Sequence, residues 1–235
     1  MVEAQERARH GQLVLDLAGE PRFDDADFLV SPANRAAFEM IAGGPGWPDP
    51  ALLLVGPAGA GKSHLCAIFA RRSGALALDP RALPAPAGLA ESAPRAAVLD
   101  GLDSVEDETA LFHCMNFLRE SGASLLIAAR RPPAAEKFAL ADLLSRLRRA
   151  PVVEIGAPDD DLIRAVLEKL FRDRQLAVDS ALIDYVALRL ERSLDAARAF
   201  VRLLDEEALA RGRRVTRALA GDLLETLRVE TLRGA

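Results

Sequence analysis

This chain of 235 residues has little cysteine, little lysine and no long apolar run. No apolar stretch reaches the roughly 18–20 residues that span a bilayer, which excludes a membrane-spanning helix. The N-terminal MVEAQERARHGQ is polar and lacks the apolar core of a signal peptide, so a cytoplasmic protein is expected. Cys66 and Cys114 are the only cysteines, and both fall in apolar helical stretches. That is the pattern of two buried thiols in a reducing compartment rather than a disulfide framework. No Cys/His cluster has metal-ligand spacing. Positive charge is also short: 30 basic against 35 acidic residues give a net charge of −5. A protein that coats nucleic acid needs many basic contacts to phosphate, so that function class is disfavoured. Only three of the basic residues are lysines, Lys62, Lys137 and Lys169, which makes each one worth inspecting.

What is present is a hydrophobic content of 50% with 28% charged residues, the balance of a folded globular protein. Residues 1–30 carry weak periodicity and predict a tail, with a domain boundary near residue 25. Ser31-Pro32 predicts a helix start, with Ser31 as N-cap, running to about Ile41. From residue 51 short apolar runs alternate with helical patterns. Strands are expected at 51–55, 75–79, 96–99, 124–129 and 152–155. Helices are expected at 61–72, 105–121 and 140–149, with the proline-rich stretch 80–94 as a loop. Such alternation predicts a parallel sheet covered on both faces over residues 25–156. After Gly156 the strand signals stop. Four helical patterns follow, near 162–171, 180–191, 194–211 and 216–229, and predict a small all-α domain over 157–235. That region holds 14 basic and 15 acidic residues, so it offers no strong footprint for DNA.

Gly56-Pro57-Ala58-Gly59-Ala60-Gly61-Lys62-Ser63 fits G-x-x-x-x-G-K-[ST] at every position, after a buried strand and before a helix. Glycines let the backbone curl so that successive N–H groups face phosphate oxygens. The following helix N-terminus adds partial positive charge. Lys62 then reaches the β/γ-phosphates, and the Ser63 hydroxyl suits Mg2+. A partner carboxylate should end a neighbouring strand, and Asp100 ends Ala96-Ala97-Val98-Leu99, placed to hold Mg2+ through water.

In this order the residues resemble the AAA+ ATPases, and among them the DnaA/Hda branch. GPAGAGKSHL (56–65) carries the His-Leu that follows the phosphate loop there. FLVSPANRAAF (28–38) is similar to the segment that packs on adenine. Asp100-Gly101-Leu102-Asp103 is similar to an acid-x-x-acid segment. LIAARRPP (126–133) matches the strand that ends in a polar sensor. LLSRL (143–147) resembles the segment that carries an arginine finger, here Arg146. Arg192-Ser193-Leu194 resembles the opening of a lid helix. The resemblance implies an AAA+ P-loop NTPase with a parallel sheet core and a C-terminal all-α lid. It implies ADP or ATP with Mg2+, bound by Leu29, Val30, Gly56, Gly59, Ala60, Gly61, Lys62, Ser63, His64 and Arg198, with the metal on Ser63 and Asp100. Gln12-Leu13-Val14-Leu15-Asp16-Leu17 looks like the branch's peptide for the replicative sliding clamp. Extended, it would set Leu13, Leu15 and Leu17 on one face and leave Gln12 for the rim.

Hydrolysis needs more than binding. Gly101 follows Asp100 where an acid is usual, Ala128-Ala129-Arg130 stands at the sensor strand, and Asp195 takes the place of the second-sensor arginine. Arg198, one helical turn on, and Arg130 are the two candidates to replace the missing sensors. The expectation is therefore a nucleotide-bound effector, in its ADP form, that rides on the clamp and donates Arg146 in trans to DnaA. The chain ends soon after the fourth lid pattern, so a domain reading duplex DNA is not expected, nor is sequence-specific DNA binding. An active AAA+ ATPase in helicase loading is the alternative, and self-association is open.

Overall fold

The computed structural model describes residues 27–212 and 214–233. Five parallel strands form one sheet in the order β2-β3-β4-β1-β5. They are β1 (Ala51–Val55), β2 (Leu76–Leu78), β3 (Ala96–Asp100), β4 (Ser124–Ala129) and β5 (Val152–Glu154). Strand β1 is buried along its whole length and pairs with β4 on one side and β5 on the other. A strand hidden on both faces has no polar alternation, which is why ALLLV reads as a continuous apolar run.

Helices α1 (Arg35–Ala42) and α2 (Lys62–Ser73) cover one face, where Ile41, Leu65, Ile68 and Phe69 pack on Leu52, Leu54 and Val98. Helices α3 (Pro86–Ser92), α4 (Glu108–Glu120) and α5 (Ala141–Arg149) cover the other, where Leu89, Leu111, Leu118, Leu143 and Leu147 meet Leu53, Leu99 and Ile127. Helices α6 (Asp160–Asp173), α7 (Ser180–Ala187), α8 (Leu194–Ala210) and α9 (Arg217–Arg233) enclose a third core around Phe171, Phe200 and Val201. Asp159, Asp179 and Ser193 each cap the helix that follows with a side-chain oxygen. Tyr185 of α7 lies between the guanidinium groups of Arg189, at 4.0 Å, and Arg217, at 4.4 Å, which ties α7 to α9.

Three local expectations change. The first helix starts at Arg35 and not after Ser31. Asn34 donates to the Leu29 carbonyl at 2.9 Å and accepts from the Ser31 N–H at 2.8 Å, closing a turn ahead of the helix. The stretch 80–94 contains α3, because Pro86 sits in its first turn, where the missing N–H costs nothing. Helix α4 starts at Glu108, after a 3-10 turn at Leu102–Ser104.

The acid cluster 106–108 divides its work. Asp107 caps α4, accepting from Ala110 N at 2.8 Å. Glu108 crosses to the start of α5 and accepts from Ala139 N at 3.1 Å and Leu140 N at 2.7 Å. One carboxylate therefore caps a helix 31 residues along the chain and fixes where α5 begins. Glu108→Ala should lower stability by about 1 kcal/mol, the magnitude of a lost cap. Urea unfolding would show this as a lower midpoint at unchanged slope.

Candidate functional site

The carboxyl ends of the parallel strands lie on one edge, and the phosphate loop leaves β1 there. Gly56 N donates to Ala129 O at 3.1 Å, so the loop begins bonded to the end of β4. A side chain on Gly56 would collide with Ile155, which explains the glycine. Ala60 is fully buried beneath the loop, and Ser63 is exposed at the start of α2. Lys62 Nζ donates to the Gly56 and Pro57 carbonyls, each at 2.7 Å. Burial and the nearby Arg130 guanidinium hold its pKa below the ordinary lysine value, against the pull of Asp100 and Asp103.

The helical lid seats on this loop. Leu194 N donates to Gly59 O at 2.8 Å. A Cβ on Gly59 would overlap the Ser193 hydroxyl, and Gly59 has φ +68. Gly59 fills an unrestricted position of the motif, yet the lid requires glycine there. The segment 27–34 is stitched to both units. Phe28 stacks on Phe38 at 5.3 Å, with planes 8° apart, and meets His64 edge-on at 5.2 Å. Leu29 packs on the lid core, while Val30 is exposed. Asp27 pairs with Lys169 of α6 at 2.9 Å, and Gly156 N donates to Ala33 O at 2.8 Å.

Sheet order places the end of β4 between the phosphate loop on β1 and Asp100 on β3. Arg130 N donates to Asp103 at 2.7 Å, and Lys137 Nζ reaches the other carboxylate oxygen at 3.3 Å. Burial alone would raise the Asp103 carboxyl. The Arg130 amide and the Lys137 ammonium outweigh it and hold the group below its usual range. Arg130 and Arg131 then line an open cavity of about 510 Å³ with Gly56, Pro57, Ala58 and Glu154.

The strands thus gather Gly56, Gly59, Ala60, Gly61, Lys62, Ser63, His64 and Asp100 at one edge. Arg198 lies on α8, the helix whose start seats on Gly59, and pairs with Asp195 at 3.2 Å. No group of three or more His, Cys, Asp or Glu side chains able to hold a metal occurs among the described residues. The exposed Ser63 hydroxyl and Asp100 carboxylate still suit Mg2+, which takes few protein ligands and keeps its waters. Arg146 is not part of this group. It stacks over Phe112 at 5.1 Å, near Pro50 and Ala51 where β1 begins, roughly 15 Å from the loop at about 3.3 Å per residue. Gln12, Leu13, Leu15 and Leu17 lie outside the described residues. Phe28, Asp103, Arg131 and Ser193 join the site from within the matched segments, although the resemblance assigned none of them to nucleotide or metal. Ser193 before an apolar helical pattern was a readable N-cap signal.

Sheet, phosphate loop and helical lid make this the fold of the AAA+ P-loop ATPases. No protein-family model matches the chain. It is similar to the chromosomal replication initiator protein DnaA of Crocosphaera subtropica, 27% identical over 197 residues, covering 71% of this chain and 42% of that one. The chain therefore spans less than half the length of that curated relative. Domain III of Thermotoga maritima DnaA superimposes with a TM-score of 0.71 at 18% identity, over 88% of this chain and 97% of that one. A replication initiator DnaA bound to AMPPCP and single-stranded DNA gives a TM-score of 0.62 at 16% identity, over 82% and 69%. The chain is thus similar to part of DnaA in sequence and to its domain III in fold.

Two outcomes test this geometry. Gly59→Ala should destabilise by about 2 kcal/mol, from the left-handed backbone and the overlap with Ser193. Adding Ser193→Gly should recover part of the loss, since glycine caps a helix nearly as well as serine. Thermal unfolding of both variants checks the coupling. Asp103→Asn should cost about 1 kcal/mol at pH 7. The carboxylate has a lowered native pKa, so its contribution is present above the unfolded value of about 3.9 and is lost as pH falls through the native one. The gap between wild type and variant should therefore close in urea titrations carried into acid.

Proposed function

We propose that this chain is an adenine-nucleotide-bound regulator of chromosome replication initiation, of the Hda type within the DnaA/Hda branch. It binds ADP or ATP with Mg2+ at the phosphate loop and works in the cytoplasm. Gln12, Leu13, Leu15 and Leu17 dock it on the DNA polymerase sliding clamp. Arg146 then serves as an arginine finger for ATP-bound DnaA.

The observation that carries this reading is the position of Arg146. It lies at the opposite end of β1 from its own phosphate loop and rests on Phe112. A guanidinium there serves no nucleotide in its own chain, and an arginine finger acts on a neighbour's. The own site supports the same reading. Its binding parts are assembled, while Gly101 follows Asp100 and Arg130 ends the sensor strand. With no acid after Asp100 to orient water, slow turnover is expected. No helix among the described residues is long and apolar enough to cross a membrane.

The test is a clamp pull-down with and without nucleotide, followed by measurement of the nucleotide on DnaA. Arg146→Ala should keep nucleotide and clamp binding while stimulation of DnaA falls about 10³-fold or more. Surviving stimulation would remove the finger. Truncation through Leu17 should abolish clamp association without shifting the unfolding midpoint. The second reading, an active ATPase in helicase loading, requires a turnover near 1 s⁻¹ by the isolated chain, within the common enzyme range of roughly 1–10³ s⁻¹.

A further inference from the structure

The lid carries a charged surface that the nucleotide site does not use. Several lid arginines are matched to an acid: Arg164 to Asp184, Arg174 to Asp205, Arg192 to Asp160, Arg202 to Glu206 and Arg211 to Glu207. Arg189 and Arg217 are exposed and pair with no carboxylate among the described residues. They hold the chain's single tyrosine, Tyr185, between them, at 4.0 Å and 4.4 Å from the ring centre. Arg189 Nη1 also donates to the Tyr185 carbonyl at 3.2 Å.

The backbone sets this arrangement. Tyr185 lies in α7, Leu188 keeps helical dihedrals at its C-cap, and residues three and four apart share a helix face. Leu188 and Arg189 therefore stand on the side of the ring, and Leu188 is 77% exposed. Arg217 comes from the first turn of α9. Thr216 caps that helix, its hydroxyl oxygen accepting from Leu219 N at 3.3 Å, and the first turn contains no acid. A helix N-terminus favours negative charge, which Asp160 and Asp161 supply for α6 and Asp195 for α8. Arg217 instead adds a cation to an end that is already electropositive, and the exposed Arg214 precedes it by less than a turn. Helix stability argues against arginine here, and local rules are broken chiefly where function requires it.

The result is an exposed leucine beside two guanidinium groups fixed on an aromatic ring. Tyrosine and arginine are enriched where proteins meet. Stacking holds each fork in place before a ligand arrives, so less freedom is lost on binding. Such forks match carboxylates through paired N–H···O bonds. Nucleic acid is disfavoured, because its affinity grows from many phosphate contacts, and the matched lid arginines are already occupied by their own acids.

We propose that Tyr185, Leu188, Arg189 and Arg217 form a docking surface for an acidic segment of a partner protein, with carboxylates on the two guanidinium groups and an apolar side chain on Leu188. The surface shares no residue with the phosphate loop or with the surroundings of Arg146.

Fluorescence anisotropy with the full chain tests this, using a labelled Glu-Glu-Leu-Glu-Glu-Leu peptide, its Gln-for-Glu counterpart and a single-stranded oligothymidylate. Wild type should bind the acidic peptide, more weakly as salt rises, and not the Gln peptide. Arg189→Ala and Arg217→Ala should each weaken the acidic peptide about tenfold or more, the size of a lost charged hydrogen bond. Their unfolding midpoints should hold. In Arg217→Ala the lost ring contact and the relieved helix end are of similar size and opposite sign. Absence of acidic-peptide binding, equal binding by the arginine variants, or weakening only alongside a lower midpoint overturns the proposal. Tighter binding of the oligonucleotide that the same variants abolish assigns the surface to nucleic acid. A dimer in gel filtration that the variants dissociate assigns it to a second copy of this chain. Either result overturns the acidic partner.

Discussion

The pairing of β1 between β4 and β5 is the constraint on which the rest depends. All three strands run the same way, so their carboxyl ends open on one edge, and the chain must turn there. Residues far apart in sequence, Gly56, Asp100, Arg130 and Ile155, become neighbours for that reason alone. The burial of β1 on both faces makes this placement rigid, since moving the strand exposes Leu52, Leu53 and Leu54 together. A fully buried leucine contributes roughly 1.5–3 kcal/mol, so the loop rests on a strand that is costly to displace.

On that edge binding and turnover separate. The loop carries a lysine and a free hydroxyl, and the lid closes against it through Leu194 and Gly59. The cavity beside the start of the loop is lined by Arg130 and Arg131 together with Glu154. Arg146, at the far end of the sheet, stays apart from this chemistry. The acid that fixes its helix is Glu108, on a neighbouring helix that does not reach the site. A molecule arranged this way is suited to holding a nucleotide while offering an arginine elsewhere.

Much of this was legible in the sequence because the signals are local. Continuous apolar runs marked β1 and β4, and the phosphate loop announced itself by spacing. Strand order was not legible, because the pairing of β1 with β4 is a contact between residues about 70 positions apart, outside any window of periodicity. That gap hid which strand ends flank the phosphate loop: Gly56 N bonds to Ala129 O at the end of β4. Helix α3 was hidden by reading Pro86 as a breaker when it is a starter. Ser31 was read as a cap because its neighbour Pro32 suits a first turn. The choice between Ser31 and Asn34 was made by the Leu29 carbonyl, which only the folded segment brings within reach. Glu108 sits in the first turn of its own helix, and the Ala139 amide it also accepts from lies 31 residues away, beyond any local signal.

Gly59 bears on how such a chain tolerates change. The phosphate motif leaves its position free, but the lid does not, so the loop is written partly by a helix that begins 135 residues later. A loop transplanted from another nucleotide-binding protein, with a larger residue at this position, would keep its phosphate-facing amides and lose its seat under Ser193. Loop and lid are in that sense a single exchangeable part. A chimaera that swaps one must carry the other.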